Sequence, residues 1–366
     1  MTKPVSYPLS MVQILKMAVK EQASDVHIVP MEPPIFRINR AMVKLEYPVL
    51  TPNNVKELLV QIIEPYQVEM LKKDLELDFS YAVPDVARFR GNAMFQRGTV
   101  ALAMRIVPFK VPNLNDLGVL KGVKELCYLP RGLVLVTGPT GSGKSTTLAA
   151  MIDIINTERD LNIVTVEDPI EFLHAHKKSS VKQREVGIDT RSFANALRHV
   201  LRHDPDVILI GEMRDLDSIS IALTAAETGH LVFSTLHTQT APLTINRIVD
   251  AFAEHQRDQI RQQLTGSLQA VLSQQLIPNI LGDGRVLAME FLKANTAVRS
   301  MIREGKEHQL YSVMQASHGA GMRTMDQTLV ELTLAGKISR EEALEKCIDK
   351  TEIERLLQKQ PSRKKI

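Results

Sequence analysis

The segment Gly138–Ser145 constrains the fold of this chain more than any other. It reads Gly-Pro-Thr-Gly-Ser-Gly-Lys-Ser and matches the pattern G-x-x-x-x-G-K-[ST]. The apolar stretch 132–137 in front of it predicts a buried strand, and the residues from Thr146 onward predict a helix. In that context backbone N–H groups surround phosphate oxygens, Lys144 reaches the β- and γ-phosphates, and the Ser145 hydroxyl can hold Mg²⁺. The predicted binding residues are Gly138, Pro139, Thr140, Gly141, Ser142, Gly143, Lys144, Ser145 and Thr146. The sequence therefore predicts a site for a nucleoside triphosphate.

The composition is that of an ordinary globular chain and argues against several classes of protein. With 366 residues, 44% hydrophobic and 24% charged, the chain is long enough for two domains with their own cores. Its 45 Lys and Arg against 42 Asp and Glu give a net charge of +3, too weak a bias to indicate nucleic-acid binding. The isolated Cys127 and Cys347 predict neither a disulfide framework nor a zinc site. No secretory signal and no apolar run of transmembrane length is visible, so we expect a cytoplasmic protein.

A first domain is predicted over residues 1–107. It begins with an amphipathic helix that carries the capping pair Ser10 and Gln13, and a second helix follows the N-cap Thr51. Strands are predicted at 25–29, 35–39, 75–81, 88–95 and 99–107. Together these elements predict an α+β module with an antiparallel sheet, joined to the rest by a linker over 108–118 that is rich in Pro, Asn and Gly.

A second domain is predicted over residues 119–366. Its strands are predicted at 133–137, 162–167, 206–210, 231–236 and 285–291. Helical patterns separate these strands, and the strands are apolar on both sides, which favours a mainly parallel sheet covered on both faces. From Thr296 onward the pattern is helical, with a further capping pair at Ser339 and Glu342. The predicted fold class is α/β, with a P-loop core and a smaller α+β N-terminal domain.

Carboxylates follow two of these strands at their carboxyl ends, the edge where doubly wound sheets bind ligands. Glu167 and Asp168 end the second strand, and Glu212 follows the third. Gly211 stands where a typical Walker B strand carries Asp, so we expect Mg²⁺ on the Ser145 hydroxyl, with Glu167 and Glu212 binding it through water. Glu212 is predicted to orient or deprotonate the attacking water. For Asp168 a turn-forming role and a functional role both stay open.

Two histidines flank the predicted strand 231–236. His237 follows its carboxyl end and is predicted to sense the γ-phosphate. His230 precedes the strand at the far end, where we expect a structural role.

Three arginines of the first domain, Arg90, Arg97 and Arg105, have two interpretations. They can belong to a solvated sheet face, or they can reach a γ-phosphate as arginine fingers do. An arginine outside the nucleotide-binding domain reaches a phosphate most easily from a neighbouring subunit. The second interpretation therefore predicts an active site at a subunit interface and a ring as the active form.

The order of the segments 138–145, 165–171, 206–215 and 228–237 resembles that in the secretion ATPases of type II/IV secretion and type IV pili. The resemblance covers nearly the whole chain. Within that family, the segment 297–306 resembles the one that marks the motors of pilus retraction.

The resemblance implies a PAS-like N-terminal domain joined to a RecA-like ATPase domain in a homohexamer. ATP and Mg²⁺ would bind between the domains, with Arg90, Arg97 and Arg105 near the phosphates. In this family the role of general base has been assigned to each of the two acidic segments. Glu212 is our first candidate for this role and Glu167 the second. ATP hydrolysis would turn a platform protein at the inner-membrane face and power retraction of type IV pili, the basis of twitching motility. We expect neither a nucleic-acid partner nor a transmembrane segment.

Other motors remain as alternatives. An accessory retraction motor differs only in the segment around Ile302, and pilus-assembly motors resemble longer chains with a tetracysteine zinc site. A RecA-like nucleic-acid translocase would need a basic stripe with stacking aromatics, whereas aromatic residues make up 4% of this chain and Trp is absent. A GTPase would carry an Asn-Lys-x-Asp segment, which is not visible.

Overall fold

The computed structural model describes residues 10–38, 41–84, 86–107 and 111–359. The chain divides into two compact units, Met1–Lys110 and Val111–Ile366. Each unit has its own sheet and its own hydrophobic core.

The first unit is an antiparallel sheet with helices against it. Its elements are α1 (Met11–Lys20), β1 (Asp25–Ile28), β2 (Ile35–Ile38), β3 (Ala41–Lys44), α2 (Pro52–Val60), α3 (Pro65–Asp74), β4 (Glu76–Val83), β5 (Ala87–Gln96) and β6 (Thr99–Val107). The strands lie in the order β3-β2-β1-β6-β5-β4, and all neighbours are antiparallel, as predicted. The helix starts are also confirmed, since both Ser10 and Thr51 are N-caps with complete capping boxes.

The second unit contains the P-loop and a seven-stranded sheet. Its sheet elements and their connections are β7 (Gly132–Thr137), α4 (Lys144–Glu158), β8 (Asn162–Glu167), β9 (Ser180–Glu185), α5 (Phe193–Val200), β10 (Val207–Ile210), α6 (Leu216–Glu227), β11 (Leu231–Leu236), α7 (Ala241–Asp250), α8 (Glu254–Ser267), β12 (Leu268–Pro278) and β13 (Arg285–Lys293). The order is β13-β12-β7-β11-β10-β8-β9. All neighbours are parallel except β12 and β13, so the predicted mainly parallel sheet is confirmed.

Helices cover both faces of this sheet. One buried cluster includes Val164 with side chains of α5 and α6, and another includes Ile163 with side chains of α4. Because neighbouring residues of β8 enter different clusters, both faces of the strand are buried. This burial explains the continuous apolar runs from which the strands were predicted.

The remaining helices follow the sheet. They are α9 (Thr296–Arg303), α10 (Leu310–Ala316), α11 (Met325–Leu334), α12 (Arg340–Lys346) and α13 (Lys350–Lys359). At the start of α12 the Ser339 hydroxyl accepts a hydrogen bond from the Glu342 N–H over 3.1 Å, one half of the capping pair predicted there.

A buried glutamate of the sheet contacts the N-termini of two helices of this unit, α7 and α11. Glu290 on β13 is fully buried, and its carboxylate accepts hydrogen bonds from the N–H groups of Ala241 (2.6 Å) and Met325 (3.4 Å). These residues are the first of α7 and α11, so one carboxylate caps two helix N-termini. Burial raises the pKa of Glu290 to about 7.

The predicted linker falls partly on residues 108–110, which lie outside the described residues. Its described part, 111–118, belongs to the second unit. There Leu114 begins a 3-10 helix, Leu114–Leu117, and is buried against the core beside α4. This segment therefore packs as part of the second unit.

Candidate nucleotide-binding site

The phosphate loop lies between β7 and α4 and needs glycine at its first position. Gly138 has φ +139°, and a Cβ there would lie 2.3 Å from the Gln274 carbonyl oxygen of β12. Gly143, the N-cap of α4, also has a positive φ of 89°. The backbone thus turns tightly enough for its N–H groups to face a phosphate at the helix N-terminus.

Lys144 is the first residue of α4, directly after this loop. Its ammonium group donates hydrogen bonds to the carbonyl oxygens of Gly138 (2.8 Å) and Pro139 (3.1 Å). Burial lowers the pKa of Lys144, while the carboxylates of Glu212 and Glu171 act in the opposite direction and favour its charged form. The two carboxylates therefore favour a positive charge on Lys144 beside the loop, where a triphosphate would approach.

A cleft of about 600 Å³ opens beside the loop, entirely within the second unit. Predicted residues that line it are Thr140, Gly141, Gly143, Lys144, Ser145, Thr146, Glu167, Asp168, Glu212 and His237. Ser142 of the loop is buried, and the carbonyl oxygens of Gly138 and Pro139 accept the hydrogen bonds of Lys144. The structure thus brings together the P-loop, both acidic segments and His237.

Glu212 is held by two cationic or imidazole neighbours. Its carboxylate accepts a hydrogen bond from Arg214 Nε over 2.7 Å, and His237 Nε2 lies 3.0 Å from its other oxygen. Glu212 follows β10 and His237 follows β11, two neighbouring parallel strands, so both side chains emerge at one edge of the sheet. Arg214 also contacts Asp168 over 3.3 Å, which places Asp168 in the same polar network.

Glu167 has a different environment. Its Oε1 accepts hydrogen bonds from the Thr165 hydroxyl (2.6 Å) and from the Gln183 amide (3.3 Å). Burial raises the pKa of Glu167 to about 6, although these hydrogen bonds favour the ionised form. The two candidate bases therefore differ, since Glu212 accepts a hydrogen bond from the charged Arg214 guanidinium and Glu167 is held by neutral donors.

Gly211 explains why this strand lacks the usual aspartate. A Cβ at this position would lie 3.2 Å from the Glu167 Cα and 3.3 Å from the Val166 carbonyl oxygen. The backbone after β10 therefore approaches the end of β8 too closely for a larger residue without a shift of one segment. The acid is displaced by one position, to Glu212.

Several cleft residues escaped the sequence analysis. Arg214 lies two residues after Glu212, so its position in the segment 206–215 was a usable signal. Leu276 and Arg285 also line the cleft, but they come from β12 and the start of β13. His174 lines it too, and burial lowers its pKa to about 4.

The second predicted histidine, His230, lies outside this cleft. Its Nδ1 is 2.9 Å from the Ala225 carbonyl oxygen at the end of α6. The contact fits the structural role expected from the sequence.

The three predicted arginines lie in the first unit, on the β5–β6 hairpin. Arg90 and Arg105 are directly opposite each other, and Arg105 Nε donates to Asp25 over 2.9 Å. Arg97 is in the turn that joins the strands, seven residues beyond Arg90 and about 20 Å away along the strand. Arg90 and Arg105 are thus neighbours, whereas Arg97 is separate from them.

Two further features of the described residues bear on the site. Among residues 10–38, 41–84, 86–107 and 111–359, no helix is long and apolar enough to cross a membrane. Within the same ranges, no group of three or more His, Cys, Asp or Glu side chains could hold a metal ion by itself.

The fold and the cleft define a P-loop nucleotide-binding protein. Residues 4–360 match the family Type II/IV secretion system protein, and the chain belongs to that family. It is 48% identical over 338 residues to "Type IV pilus retractation ATPase PilT" of Pseudomonas aeruginosa, covering 92% of this chain and 98% of the relative. It is also 48% identical over 310 residues to "Twitching motility protein" of Neisseria gonorrhoeae, covering 85% and 83%.

A solved structure is similar over nearly the same length. The "Crystal Structure of the Pilus Retraction Motor PilT and Bound ADP" superimposes with a TM-score of 0.90 at 50% identity, covering 95% of this chain and all of that one. The predicted family and the predicted α/β fold class are therefore confirmed.

Proposed function

We propose that this chain is an ATPase whose hydrolysis of ATP powers the retraction of type IV pili. The observation that carries the proposal is the meeting of Lys144 and Ser145 with the Glu212–His237 pair in one cleft. The relatives named above, a retraction ATPase and a twitching-motility protein, have the predicted activity in their names. The structure with bound ADP supports adenine nucleotide as the ligand.

The phosphate loop binds the triphosphate. Backbone N–H groups of residues 140–145 would face the phosphate oxygens at the N-terminus of α4, where the helix dipole favours negative charge. Lys144 exchanges its carbonyl partners, Gly138 and Pro139, for β- and γ-phosphate oxygens. The ammonium group then offsets charge that develops during phosphoryl transfer.

Glu212 activates the attacking water. Its carboxylate lies at the carboxyl edge of the sheet, where it can accept a proton as the water oxygen attacks the γ-phosphorus. His237 and Arg214 hold the carboxylate from two sides and so fix its orientation. Glu167 remains the second candidate, since its raised pKa of about 6 also suits a general base near neutral pH.

The residues present fit Mg²⁺ bound together with the nucleotide. The hydroxyl of Ser145 would be the direct protein ligand, and Glu167 and Glu212 would bind the ion through water. This oxygen donor set is the kind that Mg²⁺ prefers, with phosphate oxygens and waters completing the shell. When bound, the ion neutralises phosphate charge.

We further propose that the chain acts as a homohexamer, in which arginines of the first unit reach a neighbour's nucleotide. Arg90 and Arg105 are side by side and can approach one phosphate group together. Arg97, about 20 Å along the hairpin, would contact a different part of the nucleotide or the neighbouring chain. Because each site in such a ring would contain residues of two chains, hydrolysis at one site would move the neighbouring subunit.

The proposed organisation follows the two compact units. Residues 1–107 would form the PAS-like domain and 119–366 the RecA-like ATPase domain; of the linker predicted at 108–118, residues 111–118 pack with the second unit. The ring would act on the platform protein of the pilus machine from the cytoplasmic face of the inner membrane. The two separate cores support the division into domains.

A gene deletion complemented with variants tests the retraction function. Cells that lack the chain should lose twitching but keep surface pili in excess, and wild-type protein should restore retraction. Glu212→Ala should fail to restore it although the variant still binds ATP. Cells without pili would indicate an assembly motor instead, and unchanged twitching would contradict the proposal.

A further inference from the structure

A second cleft, of about 560 Å³, lies in the second unit away from the phosphate loop. It is lined by β9, by the turn that follows β9 and by α5. Five basic side chains line it: Lys182, Arg184, Arg191, His199 and His203. Val164 and Val200 contribute apolar surface. We call this the β9 cleft.

The lining of the β9 cleft carries more positive than negative charge, since Lys182, Arg184 and Arg191 face one carboxylate, that of Asp189. Lys182 donates to the Asn162 amide oxygen over 3.1 Å, and Arg184 donates to the Asp189 backbone carbonyl over 2.7 Å. Both partners are uncharged groups. The Asp189 carboxylate, the one acid in the lining, is engaged by the Glu185 N–H over 2.8 Å.

Three of the basic side chains have no partner among the residues the structure describes. Neither Arg191 nor His199 nor His203 forms a side-chain hydrogen bond or ion pair there. Their donors are therefore available to an anion, and a guanidinium with imidazoles is a set that binds phosphate oxygens well.

The β9 cleft is distinct from the nucleotide site. Lys182 and Arg184 line the β9 cleft, whereas Gln183 between them donates to Glu167 of the nucleotide cleft. Because successive residues of a strand point to opposite faces, the two clefts lie on opposite sides of β9. An anion bound here would not compete for the phosphate loop.

We propose that the β9 cleft binds a phosphate-bearing anion, either a soluble phosphorylated compound or the headgroup of an anionic lipid. Its volume accommodates more than one phosphate group, and its charge favours a dianion over a neutral ligand. Basic residues on an edge strand can also serve only to prevent sheets from pairing. That interpretation predicts no affinity for phosphate and is the outcome that would overturn the proposal.

Equilibrium dialysis with labelled pyrophosphate tests the proposal on the whole chain, with ADP present at one equivalent per chain so that it fills the nucleotide cleft and leaves the β9 cleft to pyrophosphate. We expect one bound pyrophosphate per chain. The double variant Arg191→Gln/His199→Gln should weaken binding about tenfold or more, since it removes charge-assisted contacts. Neither side chain has a partner among the described residues, so the variant should fold, which its thermal unfolding checks.

Two controls separate the β9 cleft from other sources of binding. Lys337→Gln/Arg340→Gln removes two exposed charges elsewhere in the second unit and should leave pyrophosphate binding unchanged. Lys144→Ala disables the phosphate loop and should also leave it unchanged. Absence of binding in the presence of ADP, or equal binding by the Arg191/His199 variant, would refute the site.

Vesicles distinguish the two sources of phosphate. Sedimentation with vesicles that contain phosphatidylglycerol, but not with phosphatidylcholine alone, would identify a lipid headgroup if pyrophosphate competes. Binding of pyrophosphate without sedimentation would identify a soluble anion. If pyrophosphate does not bind and the Arg191/His199 variant instead loses self-association, the cleft is a protein interface and the proposal is wrong.

Discussion

Replacement of Glu212 by glutamine tests the assignment of the general base. The glutamine keeps the size of the side chain, and its amide oxygen can still accept the hydrogen bond that Arg214 Nε now makes over 2.7 Å. Its amide nitrogen lies within reach of His237 Nε2, which is 3.0 Å from the present carboxylate. The variant thus preserves the contacts and removes chiefly the proton acceptor.

The expected loss follows from that single change. A positioned general base contributes about 10²–10⁴-fold to a rate, so kcat should fall by this factor, or by about 3–5 kcal/mol of barrier. ATP affinity should be equal or slightly tighter, because the phosphate loop is intact and a negative charge near the phosphates is gone. Phosphate release at saturating ATP measures kcat, and binding of a fluorescent ATP analogue measures affinity.

Glu167→Gln is the matched control. The glutamine oxygen can accept the same hydrogen bonds from Thr165 and Gln183, and we expect kcat to fall by less than about tenfold. If Glu167 were the base, the wild-type rate would fall as the pH drops through about 6, the pKa to which burial raises this group. A nearly inactive Glu167→Gln with a nearly normal Glu212→Gln would refute the assignment.

Three further predictions follow from other contacts. Gly211→Ala should lower kcat about tenfold or more and the free energy of unfolding by about 1–3 kcal/mol, because the new Cβ would lie 3.2 Å from the Glu167 Cα. A variant that hydrolyses ATP and unfolds thermally like the wild type would contradict this. Burial raises the pKa of Glu290 from 4.5 to about 7, so folding favours the protonated side chain. The protonated group therefore contributes its full stabilisation at acid pH, and this contribution is lost as the pH rises through 7. Glu290→Gln cannot titrate, so its melting temperature should fall less than that of the wild type between about pH 5 and 8, and parallel curves would refute the effect. Mixing Arg97→Ala subunits with Lys144→Ala subunits should restore some ATP hydrolysis if the arginine acts on a neighbour, and no recovery at any ratio would indicate action within one chain.

The nucleotide site was predictable because its parts obey local and topological rules. The phosphate loop is contiguous in sequence, and the strand and helix around it have strong patterns. Glu212 and His237 are 25 positions apart, yet both follow strands of a parallel sheet, whose carboxyl ends share one edge. Parallel topology alone therefore brought them together.

Two strands were missed because their sequences do not have the usual apolar pattern. β12 carries Ser273 and Gln274 in the core, where they make hydrogen bonds of 3.0 Å to Thr137 and 2.8 Å to Thr147. Such buried polar residues are stabilised by partners distant in sequence, so no local signal reveals them. β9 lies at the sheet edge and carries charges, and its residues would be read as a loop.

Elements of the first unit were missed for similar reasons. All four residues of β3 are exposed, so the strand lacks the alternation that burial on one face produces. Helix α3 has Leu71 as its buried residue, and its apolar stripe is correspondingly weak. The double capping by Glu290 is also invisible in sequence, since a glutamate within an apolar strand gives no sign of the two helices it contacts.

The account depends on hydrolysis at sites that neighbouring copies complete. The direct measurement is the ATPase rate per chain across a range of protein concentrations, with the mass of the particles determined by analytical ultracentrifugation in the same nucleotide. We predict that the rate per chain rises from near zero as monomers assemble into hexamers. A protein that stays monomeric at every concentration and still hydrolyses ATP at a constant rate per chain would contradict the account.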